Sequence, residues 1–239
     1  MKRVLLVLLV FLGCCGCTKR EDKLIMVTEA SFAPYEYYAD GKIVGVDVEI
    51  AKEIARELGK ELVVKDIAFD SIIHEVKSGK ADIGVAGISY SDERAKQVDF
   101  SVNYTNSRQV VVVRKNSSID EVEDIENKKI AVQLGSVADI YVSDNYKEDN
   151  IVRQKKYLAA IQDLKDRKVD CVVMDELPAL EMVKQNGDIK ILNDIVVEEY
   201  YGIIVDKGNE ELLSVVNKVI ERLKQEGKID EYVLEHSSR

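Results

Sequence analysis

An internal repeat constrains the fold of this chain more than any other feature. Residues 69–87 align without a gap with residues 157–175, at an offset of 88 positions. Five residues recur: Ile73, Lys77, Lys80, Asp82 and Val85 reappear as Ile161, Lys165, Lys168, Asp170 and Val173. Five identities also fit two unrelated helix–turn–strand units, but the upstream segment 49–58 falls over 137–146 at the same offset. The pattern therefore favours two similar lobes.

Each copy alternates short β-rich runs with helical stretches. In the first copy, strands are predicted at 24–27, 62–65 and 82–86, with helices at 46–58 and 70–77. The first of these helices has an apolar residue at every fourth position, which gives one buried stripe. Such alternation is typical of βαβ units around a mainly parallel sheet. The predicted fold class is therefore α/β.

Composition excludes several classes of protein. Of 239 residues, 46% are hydrophobic, which is enough for a packed core and excludes wholesale disorder. The net charge of −10 argues against a nucleic-acid-binding surface. The only histidines are His74 and His236, without a Cys/His cluster, so neither a metal site nor a cofactor is expected. Cys171 is expected to be a buried small hydrophobe without a disulfide partner.

The N-terminal segment is expected to be an export signal. Lys2 and Arg3 precede an unbroken apolar run over 4–12, which is shorter than the roughly 20 residues of a spanning helix. A cysteine following glycine there resembles the bacterial lipobox, in which the cysteine is lipidated. Residues 1–16 are therefore predicted to be removed, with Cys17 favoured for lipidation and Cys14 as the alternative. An uncleaved N-terminal anchor is the other interpretation.

The ends of the two repeated strands predict a binding site. In parallel sheets, ligands lie beyond the carboxyl ends of the strands, near helix N-termini. The first strand is followed by Gly87, Ser89 and Arg94, and the second ends at Asp175. One lobe thus offers a cation with hydroxyls and amides, and the other offers a carboxylate. If the lobes face each other, the cleft suits a zwitterion.

Each of these residues also has a structural interpretation. Arg94 lies in the first turn of a predicted helix, where its positive charge opposes the helix dipole. This unfavourable position is explained if Arg94 binds an external carboxylate. A surface salt bridge with Asp92 or Asp99 is the alternative. Ser89 could be only a helix cap in place of Ser91, whereas Gly87 can present its N–H to a ligand without a side chain in the way.

Four ordered motifs resemble one known family. Residues 87–101 resemble the signature of the family 3 bacterial extracellular solute-binding proteins, which deliver polar amino acids to ABC importers. Further matches are 32–36 with 41–47, the turn at Gly135 and Ser136, and the strand end 173–178. The resemblance runs from about residue 23 to the end. It implies a periplasmic-binding-protein type II fold, with two α/β lobes joined by two hinge strands that close around a ligand.

The resemblance also implies lobe boundaries. Lobe 1 would comprise residues 22–106 and 202–239, and lobe 2 residues 107–201. The hinge crossings would lie near 104–108 and 199–202, and a C-terminal helix would return to cover lobe 1.

Carried over position by position, the resemblance implies a ligand site of ten residues. Arg94 would bind the ligand α-carboxylate with the Gly87 amide, Ser89 and the Ser136 region, and Asp175 would accept from the α-ammonium. Phe32 and Phe69 would form aromatic walls, although both could be plain core. Glu29 and Gln133 would lie near the far end of the ligand side chain. Val137 departs from the family pattern, because it can offer only its backbone N–H.

The resulting hypothesis is a lipid-anchored, monomeric receptor that takes an L-amino acid to an ABC transporter permease at the outer face of the membrane. Glu29 is treated as a carboxylate without a basic residue opposite, which favours a cationic ligand such as arginine, then lysine, ornithine or histidine. Glutamine and cystine form the runner-up class. One rival is an enzyme, such as a dehydratase, with Glu29, Asp175 or Glu176 as acid or base. The other is the sensing subunit of a signalling system.

Overall fold

The computed structural model describes residues 22–237. The predicted signal segment 1–16 and the candidate lipidation sites Cys14 and Cys17 lie outside the described residues. In the described range, the model contains no helix with both the length and the apolar character that a bilayer crossing requires.

The elements follow one another as strand–helix units. The first part of the chain forms β1 (Lys23–Thr28), β2 (Ser31–Phe32), β3 (Glu36–Ala39), β4 (Lys42–Val44), α1 (Val46–Glu57), β5 (Glu61–Asp66), α2 (Ile72–Lys77), β6 (Ile83–Gly84), α3 (Asp92–Ala95) and β7 (Val98–Phe100). The second part forms β8 (Thr105–Arg114), β9 (Ile130–Gln133), α4 (Val137–Asn145), β10 (Ile151–Gln154), α5 (Tyr157–Lys165), β11 (Cys171–Asp175), α6 (Glu176–Gln185) and β12 (Ile189–Tyr201). The last part forms β13 (Ile204–Asp206), α7 (Glu210–Gln225) and α8 (Lys228–Ser237).

Two five-stranded sheets of the same design form the two lobes. The strand order is β5-β1-β6-β13-β7 in the first lobe and β10-β9-β11-β8-β12 in the second. In each sheet the first three strands are parallel, the fourth is antiparallel to its neighbours, and the fifth again follows the direction of the first three. The predicted α/β class and the pair of similar lobes are therefore confirmed.

The predicted repeat is visible in the helix ends. α2 and α5 end at Lys77 and Lys165, and α1 and α4 end at Glu57 and Asn145, so both pairs keep the 88-residue offset. Upstream of α1 the offset is lost. The three-stranded sheet β2-β3-β4 is inserted between β1 and α1, whereas β9 reaches α4 through residues 134–136 alone.

Two predicted elements differ in extent. The strand predicted at 82–86 pairs with β1 only through Ile83 and Gly84, and the chain then turns toward the cleft. The helix predicted at 70–77 begins as a 3-10 turn at Phe69–Ser71 and becomes α-helical at Ile72. Cys171 is buried as predicted, and it is the first residue of β11.

The two lobes are connected through the longest strand pair. β8 and β12 are antiparallel partners from Arg114 opposite Ile189 to Thr105 opposite Tyr201. The chain thus enters the second sheet and leaves it at adjacent points, and Ser89 of the first lobe bridges to Tyr201 there. α7 and α8 return to pack on α1 of the first lobe. The carboxyl ends of the parallel strands in both sheets therefore lie beside the β8–β12 connection between the lobes.

Candidate ligand-binding cleft

One cavity at the strand ends brings all ten predicted site residues together. Its empty volume, including its opening to solvent, is about 310 Å³. The first lobe contributes Glu29, Phe32, Phe69, Gly87, Ser89 and Arg94, and the second contributes Gln133, Ser136, Val137 and Asp175. Four further lining residues were missed: Glu36, Ala86, Gln109 and Glu199. Their common position identifies the candidate site, while the role of each residue toward a ligand stays a prediction.

Arg94 is a buried cation held by carbonyl groups. Ser91 caps α3 by accepting from the Arg94 N–H at 3.3 Å, and the Arg94 side chain points into the cleft. Its Nη1 donates to the Ser89 carbonyl at 2.6 Å, and its Nη2 donates across the cleft to the Gly135 carbonyl at 2.9 Å. The guanidinium carbon lies 5.6 Å from the centre of the Phe69 ring. Burial lowers the pKa of Arg94, although not enough to discharge a guanidinium.

The alternative of a surface salt bridge for Arg94 is wrong. Asp99 pairs with Lys207 at 2.6 Å, and Asp92 accepts from the hydroxyl of Tyr90 at 3.2 Å. Carbonyl oxygens satisfy N–H groups of Arg94 but do not neutralise its charge. A buried guanidinium held in this way can therefore bind an external anion.

Gly87 and Ser89 are already engaged by protein groups. The Gly87 N–H donates to Asp47 Oδ2 at 3.0 Å, so the expectation of a free amide for a ligand carboxylate is wrong. Glycine is nevertheless required, because φ is +53° and a Cβ would lie 2.7 Å from Cε1 of Phe32. Ser89 is not a cap either, because its hydroxyl donates to Glu199.

Ser136 and Val137 begin α4 opposite Arg94. Ser136 is the N-cap and accepts from the Asp139 N–H at 3.2 Å, while Asp139 Oδ2 accepts from the Gly135 N–H at 2.9 Å. Val137 is the first helical residue, so its backbone N–H belongs to the turn that lacks intrahelical acceptors. This helix start lies in the cavity beside the Arg94 guanidinium and favours an anion there.

Asp175 and Glu199 form a buried pair of acidic groups. Asp175 ends β11 and accepts from the Tyr201 hydroxyl and, at 3.3 Å, from Ser107. Glu199 accepts from Gln109 at 2.5 Å and from Ser89. Burial, reinforced by the charge of Asp175, raises the pKa of Glu199 to about 9. Burial and the Asp175 charge therefore favour the protonated form of Glu199 at neutral pH.

Phe32 and Phe69 line the cavity as predicted, but in different ways. Phe32 is nearly fully buried, and its ring stacks with Tyr35 and Tyr157 at centroid distances of 5.8 and 5.9 Å. Phe69 is only partly buried and covers Arg94. Phe32 is thus both a core residue and a cavity wall.

Glu29 is not the unpaired carboxylate expected from the sequence. Lys156 Nζ lies 2.9 Å from its Oε1, Ser31 donates to it at 2.8 Å and Gln133 Nε2 donates at 3.2 Å. Lys156 also lies 3.4 Å from Asp66 Oδ2. Although burial lowers the pKa of Lys156, hydrogen bonding and attraction to Glu29 give a net rise. The basic residue opposite Glu29 therefore comes from the other lobe.

Glu36 also lines the cavity, and a second acidic residue, Asp47, lies close to it. Burial, followed by the charge of Asp47, raises the pKa of Glu36 well above its usual range. Asp47 accepts from the Gly87 N–H and, at 3.0 Å, from the Tyr104 hydroxyl, and its pKa is raised by burial. Glu36 Oε2 and Asp47 Oδ1 are buried without a hydrogen-bond partner among residues 22–237, which favours protonation of Glu36 beside the Asp47 carboxyl group.

The side chains of the described residues do not form a candidate metal centre. Across residues 22–237, no group of three or more His, Cys, Asp or Glu side chains is placed to hold a metal ion. The cavity instead presents hydrogen-bonding groups, aromatic faces and separated charges, which suits a small polar organic ligand.

Known proteins with similar sequences are receptors for small solutes. The arginine-binding extracellular protein ArtP of Bacillus subtilis (strain 168) is 30% identical over 219 residues, which cover 90% of this chain and 86% of ArtP. Residues 24–236 match the profile of a family described as bacterial extracellular solute-binding proteins, family 3.

Solved structures of amino-acid-binding proteins are also similar to this chain. AbpA from Streptococcus pneumoniae, bound to L-arginine, superposes with a TM-score of 0.87 at 34% identity and covers 91% of this chain and 95% of AbpA. An ancestral arginine-binding protein bound to glutamine has a TM-score of 0.83 at 40% identity and covers 88% of this chain and 96% of that protein. The predicted two-lobed fold and the family resemblance are confirmed: the chain belongs to the bacterial extracellular solute-binding proteins, family 3.

Proposed function

We propose that the chain is an exported receptor that binds an L-amino acid between its lobes and delivers it to an ABC transporter permease. The observation that carries this proposal is the meeting of Arg94 and the Asp175–Glu199 pair in one cavity. A zwitterion needs a cation for its carboxylate and an anion for its ammonium. Arg94 with the start of α4 supplies the first, and Asp175 supplies the second.

A basic side chain fits the charge of the cavity best. Burial favours the protonated forms of Glu36 and Glu199, so Glu29 and Asp175 are the anionic groups of the lining, against the cation Arg94. An acidic ligand would add a further negative charge to this set and should be rejected. ArtP is described as an arginine-binding protein, and the AbpA structure contains bound L-arginine. We therefore propose arginine first, followed by lysine, ornithine and histidine.

Glutamine is the second candidate, for a specific reason. Lys156 already neutralises Glu29, so a neutral amide is penalised less than the sequence alone suggests. The ancestral protein, whose structure holds glutamine, is 40% identical to this chain.

We propose a hinge at the paired strands that connect the lobes. The predicted boundaries, 22–106 with 202–239 and 107–201, place the crossings at the start of β8 and the end of β12. Bonds such as Arg94 to Gly135 and Lys156 to Glu29 join groups on either side of these boundaries. Opening at the hinge breaks these contacts, and a bound ligand favours the closed arrangement.

The remaining parts of the proposal concern location and chemistry. Cys17, or alternatively Cys14, would carry the lipid that tethers the monomer to the outer face of the membrane. The relatives are receptors, and we propose no enzymatic activity for this chain. Glu176, a candidate acid or base of the rival enzyme, pairs with Arg108 at 2.6 Å and is absent from the residues that line the ligand cavity. This contact supports a structural role for Glu176.

The test is a binding screen of the mature protein against the common L-amino acids. Thermal shift ranks the ligands, because a ligand at 100 times its Kd stabilises a protein by about 2.7 kcal/mol, and calorimetry measures the leading affinities. We expect arginine to bind most tightly and glutamate to give no shift. Recovery of the bound amino acid unchanged separates a receptor from an enzyme. If no amino acid stabilises the protein, the proposed function is wrong.

A further inference from the structure

We propose that Lys156 is a specificity-determining residue of the cleft. Its ammonium group acts as a tethered counter-cation for Glu29 and reduces the advantage that a cationic ligand side chain has over a neutral one. The inference rests on the proposed function and concerns how finely the same cavity selects its ligand.

The first support is the geometry of the ion pair. Lys156 Nζ lies 2.9 Å from Glu29 Oε1 and 3.4 Å from Asp66 Oδ2. In the first lobe Glu29 follows β1 and Asp66 ends β5, whereas Lys156 precedes α5 in the second lobe. A cation at a helix N-terminus opposes the helix dipole. Its position there is stabilised by the two carboxylates that it meets across the cleft.

The second support is the environment of Glu29. Its side chain is only 2% exposed, and it faces the cavity. The Ser31 hydroxyl and the Gln133 amide are neutral donors to it. Over residues 22–237, Lys156 is the cation recorded in an ion pair with Glu29. Neutralisation of this buried carboxylate therefore depends on one lysine.

A cationic ligand side chain that approaches Glu29 meets Lys156 at the same carboxylate. The two cations repel each other, and a neutral amide suffers no such penalty. Removing the lysine charge should therefore favour arginine selectively. The Lys156 side chain is 41% exposed, so solvent and salt screen its effect toward the range of surface ion pairs. We expect a change of about fivefold in selectivity.

A purely structural role predicts a different result. If Lys156 serves only to latch the lobes together, its loss weakens every ligand by the same factor and leaves selectivity unchanged. The ratio of the glutamine Kd to the arginine Kd therefore separates the two roles, whatever happens to the absolute affinities.

The experiment compares Lys156→Met with wild type by calorimetry, using arginine and glutamine as probes. Lys190→Met is the matched control, because Lys190 also lies in the second lobe, is 36% exposed and pairs with Asp120 at 3.0 Å. We expect the ratio to rise about fivefold in Lys156→Met and to stay at the wild-type value in Lys190→Met. Thermal unfolding and the variant Lys156→Gln check that folding is retained.

An unchanged or lower ratio in a folded Lys156 variant overturns the proposal while the proposed function stands. An equal rise in Lys190→Met also overturns it, because the effect then reflects net charge and not the contact with Glu29. The wild-type protein tests the proposed function separately. If it binds neither amino acid, the proposed function fails and the role of Lys156 fails with it.

Discussion

Arg94 and Glu29 are buried charges in the same cavity, but the protein treats them differently. Arg94 is held by carbonyl oxygens and a ring face, and among residues 22–237 it forms no ion pair, although the charges of Glu199 and Asp175 act on it. Glu29 already has a cation from the opposite lobe. The Asp175–Glu199 pair is a third case, because burial and the Asp175 charge favour a protonated Glu199. The cavity therefore holds buried charged groups in three different environments.

This difference separates what all amino acids share from what distinguishes them. A cation whose hydrogen bonds go to carbonyl oxygens can bind a carboxylate strongly, because a charge-assisted hydrogen bond between opposite charges then forms where none existed. A carboxylate that already has a counter-ion gains less from a second cation. We infer that Arg94 supplies general affinity for amino acids, whereas the Glu29–Lys156 pair adjusts the choice among their side chains.

The largest expected effect comes from Arg94→Ala, which removes the cation that is expected to bind the ligand carboxylate. We expect the affinity for every amino acid to fall at least about 30-fold, since truncating one partner of a buried charge pair costs about 2–5 kcal/mol. Calorimetry with arginine and glutamine measures the loss.

The control for this loss is Arg56→Ala, because Arg56 is a largely exposed arginine on α1. It should bind as wild type does. If Arg94→Ala retains an affinity within a few-fold of wild type, Arg94 does not bind the ligand carboxylate.

Asp175→Asn is expected to have the next largest effect. A hydrogen bond to a charged group contributes about 1.5–3 kcal/mol, so affinity should fall roughly 10- to 100-fold for arginine and glutamine alike. A loss confined to arginine would instead place Asp175 beside the ligand side chain. Asp188→Asn is the control, because Asp188 is an exposed carboxylate in the same lobe.

These two assignments could be made from the sequence because they follow from local rules. Arg94 follows one of the strands that the repeat and the βαβ pattern identify, and Asp175 ends the other. Parallel strands bring their carboxyl ends to one edge of a sheet. The two-lobed architecture was predictable for the same reason. Gly87 and Ser89 follow the same strand as Arg94, and the family resemblance then supplied the remaining six of the ten predicted cavity residues.

Lys156, Glu199 and the Gly87–Asp47 bond could not be predicted in this way. Lys156 meets Glu29 from the opposite lobe, and Glu199 meets Ser89 across 110 residues of sequence. Gly87 donates to a residue 40 positions earlier. These contacts depend on the relative placement of elements and not on any local period. The sequence analysis left one acidic residue of the cleft, Glu29, without a basic partner. This imbalance of charge is the signal that could have suggested a lysine from the second lobe.

The raised pKa of Glu199 predicts a pH dependence of stability. The pKa of Glu199 is about 9 in the folded protein and close to 4.5 when unfolded, so the folded state binds the proton more tightly. The associated stability is complete below the unfolded pKa and is lost as pH rises toward 9. Chemical denaturation of the ligand-free protein between pH 5 and pH 9 measures this loss.

Glu199→Gln isolates the contribution of this carboxyl group. Glutamine cannot ionise, so the variant should lose less stability than wild type as pH rises. Glu198→Gln, a change at the preceding residue of β12, should keep the wild-type slope. If the slopes of Glu199→Gln and wild type coincide, Glu199 does not hold the proton.

The smallest expected effect comes from Val137→Thr, which adds a hydroxyl beside Arg94 with almost no change in shape. Val137 lines the cavity at the first position of α4. A hydrogen bond contributes about 0.5–1.5 kcal/mol net, so affinity should rise roughly two- to tenfold. Because the ligand carboxylate is common to all amino acids, arginine and glutamine should gain equally, in contrast to the selective change expected at Lys156. Val102→Thr, on the surface, should change neither affinity. A gain for only one ligand in Val137→Thr would mean that general affinity and side-chain choice are not separate properties of this cleft.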